Sequence, residues 1–159
     1  MSRETLIRLA TPPDAQRIAR LSRDLIESGL GWSWTPKRIL GSLKAPDTCS
    51  IVADGNAPVA GFAIMEFLDE HAHLSLLAVD RVEQRRGIGR GLVQWLEASA
   101  RTAGIGIVYV EARVGNQAAR DFYRSLGYRE MFLMPGYYRG REAAIRLGHD
   151  LRKAVPSSA

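Results

Sequence analysis

The segment that decides the fold of this chain reads Leu76-Leu77-Ala78-Val79-Asp80 and then, after three more residues, Gln84-Arg85-Arg86-Gly87-Ile88-Gly89-Arg90-Gly91. An apolar strand pattern runs into a loop, and glycines occupy the first turn of the helix that follows. Because a glycine inside a helix costs about 1 kcal/mol relative to alanine, its presence there needs a reason. Glycines leave the backbone N–H groups at the positive end of the helix dipole open to an anion. The segment therefore predicts a pyrophosphate site, and a tight strand-to-helix turn without any ligand is the alternative.

The charge of the chain also indicates an anionic ligand. Its 159 residues include 22 Lys and Arg against 17 Asp and Glu, a formal net charge of +5. The densest basic cluster, Arg81, Arg85, Arg86 and Arg90, surrounds the glycine turn, which favours a phosphorylated small molecule. No basic stripe with interleaved aromatic residues predicts nucleic-acid binding, and no long apolar run or signal-peptide pattern predicts a membrane partner or export. We therefore expect a cytoplasmic protein.

Length and composition indicate a single domain. A chain of 159 residues with 46% hydrophobic and 25% charged residues lies in the usual range for one globular core. We expect that domain to span residues 1–152, followed by a frayed polar tail at 153–159. The single cysteine, Cys49, cannot form an internal disulfide, and no cluster of ligand residues predicts a metal site.

Hydrophobic spacing and turn residues predict elements in the order β, α, α, β, β, β, α, β, α, β, β. The predicted strands are Leu6–Leu9, Cys49–Ala53, Val59–Leu68, Ala72–Val79, Ile107–Ala112, one around Met131, and Ala144–Leu147. The predicted helices start at Thr11-Pro12 and at Thr35-Pro36, carry Ile88, Leu92 and Leu96 at helical spacing, and run from Asn116 to Leu126 before Gly127. The strands between Cys49 and Val79 should be antiparallel neighbours.

The strand and the glycine turn that follows it resemble a motif of a known protein family. Gln84-x-x-Gly87-x-Gly89 after the strand Leu77-Ala78-Val79 is similar to the acetyl-CoA pyrophosphate motif of the GNAT superfamily of N-acetyltransferases. The resemblance continues through Val110-Glu111-Ala112-Arg113, Asn116 and Ala119 to Phe122-Tyr123-Arg124-Ser125-Leu126-Gly127-Tyr128. Within the superfamily, this stretch most resembles the bacterial RimI-like enzymes, which acetylate the N-terminal residue of a small-subunit ribosomal protein.

The resemblance implies an α/β (α+β) fold of the GNAT type, with a mixed, mostly antiparallel central sheet flanked by helices. It also implies that acetyl-CoA lies in the cleft where the strands ending at Val79 and Ala112 splay apart. The implied coenzyme ligands are Leu77, Ala78, Val79, Gln84, Arg85, Arg86, Gly87, Ile88, Gly89, Arg90, Asn116, Arg120 and Tyr123. For any one arginine a solvated surface charge is the alternative, and for Asn116 a helix N-cap is the alternative.

Two residues are interpreted as catalytic. Tyr123 matches the position that protonates the departing thiolate in the similar enzymes, and a phenol of pKa ~10 can protonate a thiolate whose conjugate acid has a pKa of ~8.5. Glu111 is interpreted as the base that deprotonates the incoming amine, acting through water. The alternatives are a plain amphipathic stripe of Phe122, Tyr123 and Leu126, and a solvated strand end at Glu111.

Three other residues are alternative bases. His71 and His73 share one face of a predicted strand, and imidazole has an ordinary pKa near the operating pH of most enzymes. Glu66, on the neighbouring predicted strand, is the third.

The expected activity is direct acetyl transfer to a primary amine, with the α-amine of a protein N-terminus as the first acceptor class. A small-molecule amine acetyltransferase and a non-catalytic acetyl-CoA-binding module are the alternatives. The residues implied to contact the acceptor are Trp32, Trp34, Tyr137 and Tyr138, with core packing as the alternative for the tryptophans. The protein is expected to be a monomer or a homodimer.

Overall fold

A computed structural model describes residues 5–152 of the chain, and the tail expected at 153–159 lies outside these residues. The strands are β1 Leu6–Leu9, β2 Thr48–Asp54, β3 Gly61–Phe67, β4 His71–Val79, β5 Ile107–Arg113, β6 Arg129–Tyr138 and β7 Glu142–Asp150. The helices are α1 Ala15–Leu21, α2 Pro36–Lys44, α3 Ile88–Thr102 and α4 Gln117–Ser125. This order of strands and long helices confirms the order predicted from the sequence.

The strands form a seven-stranded sheet in the order β1-β2-β3-β4-β5-β7-β6. The pairs β1–β2, β2–β3, β5–β7 and β6–β7 are antiparallel, whereas β4 and β5 run parallel. The parallel ladder joins His71–His73 to Ile107–Tyr109. A mixed, mostly antiparallel sheet with helices is the predicted fold class, which the structure confirms.

The first of two compact units comprises the residues up to Phe67 together with Leu74–Leu96. Its core buries apolar side chains of α1, α2 and strands β2 to β4, including Ile18, Leu21, Ile39, Val52, Phe62, Ile64 and Leu76. Thr35 caps α2 by accepting a hydrogen bond from the N–H of Arg38 at 3.4 Å, as its position before Pro36 predicts.

The first helical region is less regular than its sequence pattern predicts. One turn of 3-10 helix at Pro12–Asp14 precedes α1, and a turn of π-helix at Ser22–Ile26 follows it. Leu25 therefore lies in the π-helical turn and not in α1. Such turns are uncommon in helices and are frequent near functional sites.

The second unit comprises Leu68–His73 and the residues from Glu97 onward. Here α4 begins at an Asn116 N-cap, whose side-chain oxygen accepts from the N–H of Ala119 at 3.1 Å, and ends before Gly127 as predicted. A buried carboxylate, Glu97, accepts hydrogen bonds from Tyr128 at 3.0 Å and His149 at 2.6 Å. Buried polar groups need such partners, since an unpaired one is costly.

Between residues 5 and 152, no helix combines the length and apolar character needed to cross a membrane. Over the same residues, His, Cys, Asp and Glu side chains form no group of three or more that could hold a metal ion.

Candidate active site

The glycine loop between β4 and α3 has an unusual backbone. Gly87 has a φ of +78° and Arg85 a φ of +68°. A Cβ added at Gly87 would meet no atom within 4 Å, so the backbone conformation requires glycine there and protein packing does not. A non-glycine residue such as Arg85 adopts this region at an energetic cost, which is most often retained at functional sites.

Side chains of the first unit hold this loop at both ends. Asp80, which follows β4, forms an ion pair with Arg17 of α1. The side-chain amide of Gln84 donates to the carbonyl oxygen of Val79 at 2.9 Å. Arg86 pairs with the buried carboxylate of Glu83 at 3.1 Å. Gln84 and Arg86, expected as coenzyme ligands, thus also fix the shape of the loop.

The start of α3 presents donors for which residues 5–152 offer no acceptor. Across the described residues, the amide N–H groups of Ile88, Gly89 and Arg90 have no protein acceptor. The guanidinium groups of Arg85 and Arg90 likewise have no partner among residues 5–152, and both are exposed. Open amides at the start of a 15-residue helix, flanked by two arginines, are an arrangement that can bind an anion.

A second cluster, in the second unit, surrounds Glu111 of β5. One carboxylate oxygen, Oε1, lies 2.5 Å from Nε2 of His73 and accepts from the hydroxyl of Tyr137 at 2.9 Å. The other oxygen, Oε2, accepts from Nε of Arg146 at 2.9 Å. The Glu111 side chain is only 4% exposed, so a solvated strand end is not what the structure shows.

The surroundings of Glu111 keep its carboxylate ionised. Burial raises the pKa of Glu111, but the hydrogen bond and charge of His73, the hydrogen bond from Tyr137 and the charge of Arg146 outweigh it. The net result is a pKa below its usual range. Glu111 is therefore charged at neutral pH and holds its proton weakly when it gains one.

Tyr123 lies in α4 and is buried. Burial raises its pKa well above the ordinary value, and the nearby Tyr138 and Glu111 raise it further. Its ring makes edge contacts with Phe122 and with Tyr128, at centroid distances of 5.1 and 5.6 Å. Tyr123 is therefore both part of an aromatic stripe and a phenol that keeps its proton.

The end of β6 carries the two tyrosines expected at the acceptor site. The rings of Tyr137 and Tyr138 meet edge to face at a centroid distance of 4.9 Å, and the Arg113 guanidinium lies 5.7 Å from the Tyr138 ring. Burial and the charge of Glu111 raise the pKa of Tyr138 to about 12, against an opposing effect of Arg113. Through its hydroxyl, Tyr137 is also hydrogen-bonded to Glu111, the expected catalytic carboxylate.

Two expected coenzyme ligands in the second unit make other contacts. Arg120 binds both carboxylate oxygens of Glu130, at 2.8 and 2.9 Å, and the carbonyl oxygen of Val114 at 2.8 Å. Its expected phosphate contact stays a prediction that no contact in the structure supports. Asn116 uses its oxygen for the helix cap, whereas its amide N–H₂ has no partner among the described residues.

The tryptophans of the first unit lie in a loop held by a buried carboxylate. Glu27 accepts hydrogen bonds from the hydroxyl and N–H of Ser33, from the N–H of Trp34 and from the hydroxyl of Ser22. Trp34 packs against the core and stacks under Arg38 at 3.7 Å, whereas Trp32 is 40% exposed and donates to the carbonyl of Ala19. The core-packing alternative thus describes Trp34 better than Trp32.

The three alternative bases differ in their surroundings. His73 is joined to Glu111, whereas the ring of His71 meets the ring of Tyr109 edge to face at a centroid distance of 5.5 Å. Glu66 is exposed on β3.

Sequence reasoning missed Arg146, which lies directly opposite Glu111 in the β5–β7 ladder. The signal in the sequence was a charged residue between two apolar ones, Ile145 and Leu147.

Comparisons with known proteins agree on one family. The profile described as "Acetyltransferase (GNAT) family" matches residues 15–128. The [ribosomal protein bS18]-alanine N-acetyltransferase of Escherichia coli K12 is 38% identical over 93 residues, which are 57% of this chain and 63% of that enzyme's length. The N-alpha-acetyltransferase RimI of Mycobacterium tuberculosis is 33% identical over 133 residues, 81% of each chain.

Solved structures share the fold. The crystal structure of the Escherichia coli ribosomal-protein-S18-alanine N-acetyltransferase has a TM-score of 0.78 and 26% identity, covering 98% of this chain and 99% of that chain. The structure of yncA from Salmonella typhimurium, solved with its cofactor acetyl-CoA, has a TM-score of 0.80 and 21% identity, covering 99% of this chain and 100% of the other.

Proposed function

Because this chain belongs to the acetyltransferase (GNAT) family, we propose that it transfers the acetyl group of acetyl-CoA to a primary amine, as one functional domain reaching to residue 152. The family profile, matching residues 15–128, supports the class of reaction. The structural neighbour solved with acetyl-CoA supports the donor.

One observation carries the proposal: the amides of Ile88, Gly89 and Arg90, which have no acceptor in the described part of the chain, lie next to an open Gly87. A pyrophosphate bears two or more negative charges and needs several convergent donors. Those three amides, with the guanidinium groups of Arg85 and Arg90, provide them at the positive end of a helix dipole. The residues present therefore fit the donor. Backbone groups of Leu77, Ala78 and Val79 and the free amide of Asn116 are proposed to hold the pantetheine arm.

For the acceptor we propose the α-amine of a protein N-terminus. Both relatives are named for N-terminal or alanine N-acetylation, and that is the support for this class. At pH 7 an α-amine of pKa ~8 needs only about 1.4 kcal/mol to lose its proton, whereas a lysine of pKa ~10.4 needs about 4.6 kcal/mol. Trp32, Trp34, Tyr137 and Tyr138 are proposed to contact the acceptor.

The residues proposed to transfer protons in the reaction lie in the second unit. Tyr123 donates its proton to the departing sulfur, since a phenol with a raised pKa is protonated throughout the physiological range. The cluster around Glu111 receives the proton of the incoming amine. Acetyl-CoA supplies the activated acyl group, so no covalent intermediate on the enzyme is needed.

The test measures thiol release from acetyl-CoA with a panel of acceptors: an N-terminal peptide, a lysine peptide with a blocked N-terminus, a polyamine and an aminoglycoside. We expect turnover with the N-terminal peptide and a kcat about 100- to 10,000-fold lower in Tyr123→Phe. Tyr109→Phe is the matched control, because the Tyr109 hydroxyl has no hydrogen bond among residues 5–152 and should be dispensable.

Three outcomes would count against this function. Turnover confined to the polyamine or aminoglycoside would assign the small-molecule class. Binding of acetyl-CoA without any turnover would leave a coenzyme-binding module. Equal rates in Tyr123→Phe and Tyr109→Phe would remove Tyr123 from the mechanism.

A further inference from the structure

Each tryptophan between α1 and α2 has a guanidinium group over its indole ring. Arg23 lies 5.3 Å from the ring centroid of Trp32, and Arg38 lies 3.7 Å from that of Trp34. Such cation–π contacts hold a long arginine side chain in one place while its N–H groups can still bind other partners. Both arginines and Trp32 are exposed. The two pairs therefore form an ordered surface that carries positive charge.

A buried carboxylate fixes the shape of this surface. Glu27 accepts hydrogen bonds from the N–H of Ser33 at 2.7 Å and from the N–H of Trp34 at 3.2 Å. The indole N–H of Trp32 donates to the carbonyl oxygen of Ala19 in α1 at 3.3 Å. Both rings are thus held in place before a partner binds, so little side-chain order has to be gained on binding.

Positive charge in this part of the chain is only partly neutralised. Arg20 is exposed and lies about one helical turn before Arg23. Arg20 and Arg38 have no carboxylate partner within residues 5–152, whereas Arg23 pairs with the exposed Asp24 at 2.9 Å. The other acidic residue between positions 15 and 44 is the buried Glu27. We call the following residues the arginine–tryptophan surface: Arg20, Arg23, Trp32, Trp34 and Arg38.

We propose that the arginine–tryptophan surface binds acidic side chains near the N-terminus of the acceptor protein. The inference rests on the proposed acetyl transfer to a protein N-terminus and adds a preference for acceptors with negative charge. Guanidinium groups bind carboxylates through pairs of parallel N–H donors. An exposed indole ring such as that of Trp32 offers apolar area beside them.

The geometry of the rings favours a protein segment over a nucleic acid. Single-stranded nucleic acids bind to aromatic side chains by stacking their bases on open ring faces. Trp34 packs against the core and has Arg38 over its ring, which leaves little of the ring for a base. The guanidinium groups are the exposed part of that pair, and carboxylates are the protein groups that they match.

Electrostatics sets the size of the expected preference. An exposed contact between an arginine and a carboxylate is weak and changes affinity by about two- to fivefold. Three arginines together therefore give about 10- to 100-fold between acidic and basic acceptors. The positive surface also speeds encounter with negative acceptors, an effect that salt screens with a Debye length of about 10 Å at 0.1 M. It favours the neutral form of an approaching amine as well.

The experiment compares peptides that share an N-terminal alanine and continue with Asp and Glu, with Gln, or with Lys. At about 20 mM salt we expect kcat/KM to be about 10- to 100-fold higher for the acidic than for the basic peptide. The ratio should fall to within about threefold at 0.5 M salt, while the KM for acetyl-CoA stays within about twofold at each salt concentration.

Arg20→Glu and Arg129→Glu form a matched pair, because both reverse one exposed charge. Arg129 lies at the opposite end of β6 from Tyr137. Arg20→Glu should lower the ratio of acidic to basic kcat/KM about 4- to 25-fold, which corresponds to two steps of charge. Arg129→Glu should keep the parent ratio within about twofold. The Tm of each variant shows that it is folded.

A binding measurement needs no turnover. The N-acetylated form of the acidic peptide, labelled with a dye, should bind the parent more tightly than the N-acetylated basic peptide by fluorescence anisotropy. Its Kd should rise about 4- to 25-fold in Arg20→Glu and stay level in Arg129→Glu.

The outcomes separate this inference from the function on which it rests. Equal kcat/KM for acidic and basic peptides, or a ratio that Arg20→Glu leaves unchanged, would overturn the inference while leaving acetyl transfer intact. A single-stranded RNA whose binding is lost in Arg20→Glu while the peptide ratio stays would assign the surface to nucleic acid and also overturn it. A parent protein that acetylates none of the peptides would overturn the proposed function, and the anisotropy measurement would still decide whether the surface prefers acidic segments.

Discussion

Replacing Gly87 by alanine tests two properties of the glycine loop: the stability of its backbone conformation and its affinity for acetyl-CoA. The residue has a φ of +78°, and an added Cβ would meet no atom of the protein within 4 Å. An alanine forced into this region costs about 1–2 kcal/mol, and the stiffer unfolded chain offsets about 0.4–1 kcal/mol of that. The expected loss of unfolding free energy is therefore about 0–1.6 kcal/mol.

Gly104→Ala supplies the matched control. Gly104 has a φ of +81° and an equally open Cβ position, but it lies after α3, away from the loop. Both variants should lose similar stability, a fall in Tm of about 2–4 °C per kcal/mol. Only Gly87→Ala should weaken acetyl-CoA binding, because a methyl group beside the open amides removes about one charge-assisted hydrogen bond, worth about 1.5–3 kcal/mol.

The assay is calorimetric titration with acetyl-CoA, together with urea unfolding of each variant. A loss of 1.5–3 kcal/mol corresponds to a Kd about 10- to 150-fold higher for Gly87→Ala, while Gly104→Ala keeps the parent value. Equal acetyl-CoA affinity in both variants would refute the reasoning, since the loop amides would then not hold the pyrophosphate.

Three further predictions concern the loop, a buried network and acid stability. Arg85→Gly relieves a φ of +68° and removes a guanidinium that has no partner within residues 5–152, so unfolding free energy should stay level or rise by up to about 1 kcal/mol while the Kd for acetyl-CoA rises; a lower stability in urea would contradict this. Tyr128→Phe removes a donor to buried Glu97 and should lower the free energy of unfolding by about 1.5–3 kcal/mol; an unchanged urea midpoint would show that His149 satisfies Glu97 alone. The hydrogen bond from Arg8 lowers the pKa of Asp14 against the effect of burial, so this pair stabilises the fold above the ordinary pKa of 3.8 and its contribution is lost as pH falls below that value. The Tm difference between the parent and Arg8→Met should therefore shrink between about pH 5 and 2, and a difference independent of pH would argue against the ion pair.

The sequence predicted the local part of this structure well. Strand and helix order follow from hydrophobic period and from caps such as Thr35-Pro36 and Asn116, which act within a few residues. The glycine loop was predictable for the same reason, because strand, turn and helix start are contiguous in the chain. The interruption of the first helix by a π-helical turn was not, since no single residue type encodes it.

The surroundings of Glu111 could not be read from the sequence. Arg146 meets Glu111 only through the β5–β7 register, and His73 through the parallel β4–β5 pairing, both of which are non-local. A shift of one residue in either register would send those side chains to the other face of the sheet. The ion pair between Arg120 of α4 and Glu130 of β6 is also a tertiary contact, so the sequence alone predicted Arg120 at the coenzyme instead.

The most direct test of the account is the site of acetylation on a peptide with an N-terminal alanine and one internal lysine. The peptide is incubated with the protein and acetyl-CoA at neutral pH and then fragmented in a mass spectrometer. The account predicts one acetyl group, on the α-amine, formed by the parent protein and lost in Tyr123→Phe. Acetylation of the lysine, or an unmodified peptide while acetyl-CoA is bound, would contradict it.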